Sequence, residues 1–485
     1  MLLYNSLHGK KEEFQPLRDD HARLYVCGIT AYDYCHIGHA RSAVVFDVLV
    51  RYLRYKGWKV TFVRNFTDID DKIINRAAAE GIESSEVAEK YIVAFYEDMD
   101  RLGILRADFE PRATEHIPGM ISLSESLIAK GYAYATDQGD VYFRVRAFEG
   151  YGRLSGRNIE ELRSGTRVEP GESKEDPLDF ALWKSAKPGE PSWPSPWGQG
   201  RPGWHLECSV MSEHLLGLPL DIHGGGQDLT FPHHENEMAQ SMAATGGEFA
   251  RFWVHNGFVQ VNSEKMSKSL GNFVTIRDIL AKFQPEVLRF FLLSKHYRSP
   301  LDFTYQSMEE AEKALHRIYQ TMALLREHAD GTKWSNAALA SEIEAELTTL
   351  EAEWVRSMED DLNTAGALGH VFGVVRMANR MLENKGLRKS SGGRDLGARI
   401  LRDLQNWGQA TGLFQDEPEQ WLARLKQTRI QRKELDVAQV EGLLGSRQEA
   451  RLAKDFQRAD VLRGQLAEMG VEVRDTPGGQ VWDVI

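Results

Sequence analysis

Cysteine is scarce in this chain, with three residues among 485. A count this small and odd excludes a disulfide framework, and it favours a reducing compartment in which the thiols are free or bound to a metal. The N-terminal segment also lacks the apolar core of a signal peptide and carries both acids and bases. We therefore expect neither a secretory nor a transit sequence, and a cytoplasmic protein.

Long apolar runs and an excess of basic residues are missing as well. No stretch reaches the roughly 18 apolar residues of a membrane span, so we expect no membrane partner. Lys and Arg number 59 against 71 Asp and Glu, which gives a net charge of −12. An acidic chain is not a general nucleic-acid coat, so any RNA must be met by a local patch. The hydrophobic content of 42% is that of an ordinary globular protein.

The N-terminal region has the pattern of a parallel sheet with a crossover helix. Residues 22–27 predict a strand, residues 38–56 an amphipathic helix, and Trp58, Val60 and Phe62 alternate with polar residues as in a second strand. Strand, helix and strand in about forty residues form a βαβ unit. The first turn of such a helix is a common phosphate-binding site.

The remaining chain divides by pattern. Residues 115–200 are rich in Gly, Pro and Trp and predict an insertion between two halves of the sheet, whose strands return at 220–229 and 252–261. Helical apolar stripes begin near 307 and continue to about 382, which is typical of a bundle. Residues 384–396 contain helix breakers and charges, and we expect a loop there.

His36-Ile37-Gly38-His39 lies at the predicted turn from strand to helix. Free N–H groups and the positive end of the helix dipole suit the phosphates of a nucleotide, and imidazole donors can stabilise charge that develops there. Gly38 lets adenine or ribose approach the backbone. The alternative is a pair of incidental surface histidines.

Lys265 and Lys268 flank small residues in KMSKSLGN. Flexible ammonium groups in a mobile loop suit closure over a triphosphate. The alternative is a solvated basic loop.

Together these segments resemble the HIGH and KMSKS signatures of class I aminoacyl-tRNA synthetases. The resemblance implies a Rossmann-type core that joins an amino acid to ATP as an adenylate, releases pyrophosphate, and then acylates the 3′ end of a tRNA. It implies that His36, His39, Lys265 and Lys268 are catalytic. Gly226-Gln227-Asp228 also resembles the nucleoside-side motif of that class, which would place Asp228 near the adenosine.

Four residues far apart in the sequence form an acceptable zinc set. Cys27 ends the first strand, and Cys208 follows Trp204-His205-Leu206-Glu207. His233 and Glu237, near a predicted helix start, share one helix face at i and i+4. Two thiolates, an imidazole and a carboxylate suit zinc. Spacing alone leaves the alternative of buried apolar thiols beside an ordinary helix pair.

Long segments across nearly the whole chain resemble the cysteinyl-tRNA synthetase family. They are YVCGITAYDYCHIGHARS, NFTDIDDKI, PSWPSPWGQGRPGWHLECS, DIHGGGQDLTFPHHENEMAQS, EKMSKSLGN, DDLNTA and AKDFQRADVLRGQL. In that family one zinc ion per chain binds the substrate's side chain. The resemblance implies that its ligands are Cys27, Cys208, His233 and Glu237.

The same resemblance assigns the amino-acid pocket. It implies that Trp204 lies beside the substrate thiolate and that Thr67 and the backbone of Gly28 face the amino acid. Cysteine and serine differ by one atom, a difference from which an apolar pocket gains only about 1–3 kcal/mol. Zinc holds thiolate far more strongly than a hydroxyl, so a separate editing domain becomes unnecessary.

The C-terminal segment combines cations, acids and aromatic rings, a composition suited to unpaired bases. By resemblance these residues would read the anticodon of tRNA-Cys. The alternative is a solvated helical face. The candidates are Arg447, Arg451, Lys454, Asp455, Phe456 and Trp482.

These observations predict an α/β Rossmann-type catalytic core with an insertion domain, followed by an α-helical bundle and a small C-terminal mixed α/β domain. The expected regions are the first half of the core (1–114), a connective insertion (115–200), the second half with the zinc-ligand segment (201–255), the KMSKS loop and stem-contact region (256–306), the bundle (307–415) and the anticodon-binding domain (416–485).

The expected protein is a monomer that uses ATP with Mg²⁺, L-cysteine, tRNA-Cys and bound Zn²⁺. Two other interpretations stay open at this point. A mycothiol-pathway ligase resembles the same core and transfers cysteine to an amino sugar, but it lacks the C-terminal domain. A catalytically silent, zinc-holding RNA-binding paralogue would have no use for two phosphate motifs.

Overall fold

The computed structural model of this chain describes residues 1–158, 174–265, 272–327, 337–476 and 479–485. The strands, in chain order, are β1 Leu2–Asn5, β2 Lys10–Glu13, β3 His21–Thr30, β4 Lys59–Thr67, β5 Ala133–Ala135, β6 Val141–Phe143, β7 Phe180–Ser185, β8 Trp193–Ser195, β9 Gly198–Pro202, β10 Leu220–Gly226, β11 Ala250–Asn256, β12 Val259–Val261, β13 Glu264–Lys265, β14 Leu301–Phe303, β15 Val471–Thr476 and β16 Gly479–Val484.

The described residues form sixteen α-helices. They are α1 Ile37–Tyr55, α2 Asp71–Glu80, α3 Ser84–Arg101, α4 Ile117–Ala129, α5 Trp204–Leu216, α6 Glu235–Thr245, α7 Ile276–Leu280, α8 Pro285–Leu293, α9 Tyr305–Arg326, α10 Ala337–Glu359, α11 Thr364–Glu383, α12 Lys385–Arg388, α13 Ser391–Thr411, α14 Pro418–Arg432, α15 Val437–Leu452 and α16 Phe456–Glu468. Among the described residues, no helix has the length and apolarity to cross a membrane.

The catalytic half is built on a four-stranded sheet in the order β11–β10–β3–β4, with every neighbouring pair parallel. The crossover from β3 to β4 is α1, as the βαβ pattern predicts. The register of β3 on β4 shifts between Val26 and Ile29, which marks a bulge at Cys27–Gly28. The predicted site therefore begins at an irregularity of the sheet, where bulges commonly re-aim a side chain.

The predicted insertion carries a second, five-stranded antiparallel sheet in the order β5–β6–β7–β9–β8. Its buried Trp183 and the buried Leu206 and Met211 of α5 belong to one apolar core. Gly203, which precedes α5, lies so close to β7 that an added Cβ would be 2.0 Å from the carbonyl oxygen of Ala181. The insertion thus holds the start of α5 in place.

The prediction of returning strands with loops at 252–261 is confirmed. β11 ends at Asn256 in the parallel sheet, and β12 pairs with β13 and β14 in another sheet. Between them, Gly257 lies close to a distant segment of the chain, where an added Cβ would be 2.5 Å from the carbonyl oxygen of Arg298.

The predicted loop at 384–396 is wrong, because α12 and the first turns of α13 lie there. The polar residues that suggested a loop are caps. Asn384 Oδ1 accepts from the Leu387 amide at 3.0 Å, and Ser390 Oγ accepts from the Gly393 amide at 3.0 Å. Such residues favour helix starts as well as turns.

The C-terminal domain has its own small core of Val440, Leu444, Leu466, Val471 and Val473. Its basic residues do not share one helix, since α15 and α16 are separated by a turn. Lys454 in that turn has a left-handed φ of 59°. The hairpin β15–β16 completes a mixed α/β unit, so the predicted fold class is confirmed.

Candidate metal centre and nucleotide site

The four predicted zinc ligands converge in space. The ligand atoms of Cys27, Cys208, His233 and Glu237 all lie within 4.8 Å of one another. Cys208, His233 and Glu237 are almost fully buried, and Cys27 is partly accessible. Tertiary structure thus brings together residues from β3, α5, the turn after β10, and the first turn of α6.

The separations match a tetrahedral metal site. Around zinc, ligand atoms lie about 3.3–3.8 Å apart, given bonds of about 2.0–2.3 Å. The Cys27 and Cys208 Sγ atoms are 3.6 Å apart, Cys27 Sγ is 3.4 Å from Glu237 Oε1, and Cys208 Sγ is 3.7 Å from His233 Nε2. His233 Nε2 and Glu237 Oε1 are closer, at 2.9 Å, as in a direct ion pair. The donor set and its spacing therefore fit zinc.

Backbone geometry aims Cys27. The amide of Gly28 donates to Asn65 Oδ1 at 2.9 Å, and a Cβ on Gly28 would be 1.6 Å from the carbonyl oxygen of Asn65. Only glycine allows β3 and β4 to approach this closely beside the bulge. The resemblance predicted that the backbone of Gly28 faces the amino acid. The structure adds that glycine is required here by the close approach of β3 to β4.

Electrostatics favour the charged forms of Cys208 and Glu237 but not of Cys27, whose pKa is raised well above its usual value by burial and by the neighbouring Cys208 and Glu237. Burial opposes ionisation of Cys208, yet hydrogen bonds from Cys27 and His233 bring its pKa down to about 6. Burial also opposes ionisation of Glu237, but His223 and His233 hold the pKa of that carboxyl well below its usual value. A thiolate and a carboxylate are the forms that bind a metal.

Sequence reasoning missed two histidines that hold the ligands. A ring nitrogen of His205 lies 2.9 Å from His233 Nδ1, and His223 Nε2 lies 3.0 Å from Glu237 Oε2. Groups of this kind commonly orient metal ligands from behind. His223 is the central residue of β10, which pairs with β3, the strand that carries Cys27. The pairing of these two strands was therefore the available signal.

The predicted pocket residues lie around this centre. Trp204 stacks on His233 with ring centroids 4.1 Å apart, and 37% of Trp204 remains exposed. Thr67 does not present a free hydroxyl, because Oγ1 donates to the buried Glu207 at 2.5 Å. Burial raises the pKa of Glu207 well above its usual value.

The first signature motif forms the N-terminus of α1. His36 is the N-cap, and its Nδ1 accepts from the amides of Gly38 and His39 at 3.0 and 3.4 Å. The two imidazole rings stack with centroids 3.7 Å apart. Burial and the neighbouring His36 lower the pKa of His39 well below its usual value.

Of the other nucleotide-site candidates, Asp228 lies at the C-terminal end of the parallel sheet, whereas Lys265 belongs to the sheet of β12, β13 and β14. Asp228 follows β10 in a short 3₁₀ turn, and Lys265 ends β13. Lys268 lies outside the described residues. Where the chain is described again, the Val274 carbonyl accepts from the Ile37 amide at 3.1 Å, so this segment meets the signature helix. Ligands of parallel α/β sheets bind at these strand ends.

The C-terminal candidates have different surroundings. Arg447 is almost fully buried and donates to both carboxylate oxygens of Asp475 at 3.0 Å, and Arg451 also pairs with Asp475. Asp455 caps α16 by accepting from the Arg458 amide at 3.0 Å.

Two aromatic candidates differ sharply in exposure. Phe456, which begins α16, is 64% exposed. Trp482 is partly buried, and the Lys426 ammonium lies 3.4 Å from its ring centroid. Lys454 occupies the turn between the two helices. Of these rings, Phe456 is the one open to a partner.

Three family models match this chain. Residues 13–313 match the tRNA synthetases class I (C) catalytic domain, residues 353–415 the DALR domain, and residues 437–482 the cysteinyl-tRNA ligase anticodon binding domain. Curated relatives named cysteine–tRNA ligase cover the whole of both chains. The proteins of Maridesulfovibrio salexigens and Lawsonia intracellularis are 64% and 54% identical.

Solved structures share the fold at low sequence identity. The methionyl-tRNA synthetase of Mycobacterium tuberculosis in complex with methionyl-adenylate is 16% identical with a TM-score of 0.59, over 80% of this chain and 90% of that one. A putative arginyl tRNA synthetase from Campylobacter jejuni is 15% identical with a TM-score of 0.53, over 81% and 92%.

Proposed function

The chain belongs to the cysteine–tRNA ligase family, and on that premise we propose how its own residues divide the work. The reaction joins the carboxylate of L-cysteine to the α-phosphate of ATP, breaks the bond to pyrophosphate, and then transfers cysteine to the 3′ end of tRNA-Cys. The observation that carries the proposal is the convergence of two thiols, an imidazole and a carboxylate in one cluster.

Cys27, Cys208, His233 and Glu237 would hold one zinc ion per chain. Zinc in that position would supply affinity for a thiolate over the far less acidic hydroxyl of serine. His205 and His223 orient His233 and Glu237 from behind. Trp204, with its exposed face beside His233, would form one wall of the cysteine pocket, and Gly28 another.

The N-terminus of α1 would receive ATP. The ring Nε2 groups of His36 and His39 would donate to phosphate oxygens, because the Nδ1 atoms of both rings already accept from backbone amides. Gly38 leaves room for the nucleoside. Asp228 would accept from the ribose. Lys265 and Lys268 would stabilise the charge that builds on the leaving pyrophosphate, with Mg²⁺ bound to ATP itself.

Phe456 would stack on an anticodon base, because it is the exposed ring of the C-terminal domain. Arg451, Lys454 and Asp455 border it and would contact the same loop. Arg447 we propose as a brace for the hairpin, since its guanidinium is buried on Asp475. We propose that Trp482 packs against Lys426 of α14 and does not contact the anticodon.

We keep the other proposed region boundaries but move the last one. Helix α14 packs on α9, where the buried Arg429 donates to Glu312 at 2.7 Å. The anticodon-binding model begins at 437. We therefore propose that the anticodon-binding domain begins near 434, and that the enzyme is a cytoplasmic monomer.

Metal analysis tests the central part of this proposal. Purified protein should hold about one zinc per chain, and Cys208→Ser should lose most of it and raise the KM for cysteine more than that for ATP. Cys35→Ser is the matched control, because Cys35 is buried but outside the cluster. Full cysteine activation by a native enzyme without metal would contradict the assignment.

A further inference from the structure

Helix α8 carries two polar residues that the metal centre and the nucleotide site do not use. Glu286 and Arg289 lie one turn apart on it, and both face the chain at Thr411–Trp421, which leads from the bundle toward the C-terminal domain. Burying a charged side chain costs free energy unless it is paired or hydrogen-bonded. Their partners lie on four different elements.

We call residues 411–421 the link. Arg289 connects the link to α1, the helix that carries the HIGH motif. Its Nε donates to the Thr411 carbonyl at 2.8 Å, its Nη1 donates to the Leu102 carbonyl at 3.2 Å, and its Nη2 pairs with Asp47 of α1. Asp47 is itself held, since it also accepts from Arg51 Nε at 2.7 Å. Both charged partners of this contact, Arg289 and Asp47, are almost fully buried.

Gly412 shows how closely the link passes this guanidinium. Its φ is 68°, and an added Cβ would lie 2.3 Å from the Arg289 guanidinium carbon. A side chain there would meet both a left-handed backbone and a clash. The link is therefore fitted to Arg289 at one defined point.

Glu286 holds the next residues of the link. Its carboxylate accepts from the Phe414 amide at 2.6 Å and from the Tyr319 hydroxyl of α9 at 2.9 Å. Tyr319 in turn stacks on Trp421 of α14, with centroids 4.2 Å apart and planes 10° from parallel. Both rings are fully buried.

Helix α14 continues the connection to the C-terminal domain. Arg429 donates to Glu312 of α9 at 2.7 Å and to the carbonyl of Val484, in the last strand, at 2.7 Å. Direct contacts thus run without a gap from Asp47 on α1 through α8 and α14 to β16.

We propose that Glu286 and Arg289 are positioning residues that couple anticodon recognition in the C-terminal domain to the helix that carries His36 and His39. Neither touches a substrate, so they act by fixing the two tRNA-binding regions at one separation. A tRNA that spans both regions then binds the second at a high effective concentration. This inference rests on the proposed anticodon-reading function.

The test is an anticodon penalty, measured on the full-length enzyme. We define it as kcat/KM for a tRNA-Cys transcript divided by kcat/KM for the same transcript with a replaced anticodon. Tyr319→Phe removes one hydroxyl but keeps the stack on Trp421, and Glu286→Gln removes the charge. Tyr305→Phe is the matched control on α9, because Tyr305 is 43% exposed.

We expect the penalty to fall roughly 3- to 30-fold in Tyr319→Phe and Glu286→Gln, and to stay unchanged in Tyr305→Phe. Cysteine-dependent pyrophosphate exchange, which needs no tRNA, should be retained in all three. An anticodon penalty that is unchanged in both Tyr319→Phe and Glu286→Gln would overturn the proposed coupling. Equal losses of exchange and charging would reduce the contacts to a structural role and overturn it too.

A third result separates this inference from its premise. If the unaltered enzyme itself shows no anticodon penalty, the C-terminal domain does not read the anticodon, and both proposals fall. If the penalty is present in the unaltered enzyme and equally large in Tyr319→Phe and Glu286→Gln, the proposed coupling is wrong. The anticodon-reading function then still stands.

Discussion

At the scale of single residues, the four candidate zinc ligands could be predicted from the sequence, but the histidines that contact them could not. Cys27, Cys208, His233 and Glu237 could be named because they resemble a family, and the structure brings them together. Composition and spacing alone favoured buried apolar thiols over a zinc site. His205 and His223 were missed because their contacts depend on how β10 and α5 pack, which no local pattern encodes.

Gly28 is the residue on which the aim of Cys27 depends. Gly28→Ala would push a methyl group into the Asn65 carbonyl, so we expect a loss of stability of about 1–3 kcal/mol and reduced zinc content. Thermal unfolding and metal analysis measure both. Gly369→Ala, where a Cβ meets nothing within 4 Å, is the control. It should leave the zinc content unchanged and should not lower stability, because alanine is favoured over glycine inside a helix. A fully metallated, stable Gly28→Ala enzyme would contradict this role.

Glu286 makes stability depend on pH in a defined direction. Burial raises its pKa to about 7, so the folded state binds this proton more tightly than the unfolded state. The resulting contribution is present below the unfolded pKa and is lost as pH rises through about 7, a change of at most about 3 kcal/mol. Glu286→Gln should therefore lose less stability than the unaltered protein between pH 5 and pH 8, in denaturant titrations at each pH. Parallel curves for the two proteins would show that Glu286 ionises normally.

At the scale of elements, periodicity predicted the βαβ unit and the helical stripes, but composition misjudged helix caps. Ser390 and Asn384 looked like loop residues and are helix caps. Asn and Ser favour turns and helix starts alike, so composition could not decide between the two. The close approach of Gly257 to the Arg298 carbonyl joins distant segments, and no local pattern encodes such a contact.

The KMSKS segment supports an element-scale prediction that rests on its sequence. Lys268→Ala should slow cysteinyl-adenylate formation by roughly 10²-fold or more, because one lost donor to the transition state costs about 3 kcal/mol. Cysteine binding should be nearly unchanged. Rapid-quench measurement of the first turnover separates the two, with Lys295→Ala as a control lysine outside the motif. A rate that barely moves would make the segment ordinary surface.

At the scale of the whole molecule, the sequence predicted the fold class correctly, and the domain boundaries stay predictions. An acidic chain meets RNA through a separate C-terminal unit, as the composition suggested. Full-length relatives and the matched anticodon-binding domain decide against the amino-sugar ligase and the silent paralogue. The boundary at 416 was drawn from composition, which cannot report that Trp421 and Arg429 are buried against α9.

A chain ended after Glu434 should separate the two half-reactions. It keeps α14 on α9 and removes Arg451, Lys454, Asp455 and Phe456. Cysteine-dependent pyrophosphate exchange should survive, and the KM for tRNA-Cys should rise by roughly 10–100-fold, since each lost base stack costs about 1–3 kcal/mol. Steady-state charging at several salt concentrations measures this, and unchanged charging would exclude the C-terminal domain as the anticodon reader.

The most direct test of the account is the selectivity of pyrophosphate exchange for cysteine over serine, with and without the metal. The enzyme should favour cysteine in kcat/KM by about 10⁴ or more. Removal of the metal by a chelator should abolish most of that preference, and added zinc should restore it. An unchanged preference in protein shown to be free of metal would contradict the claim that Cys27, Cys208, His233 and Glu237 select the substrate through zinc.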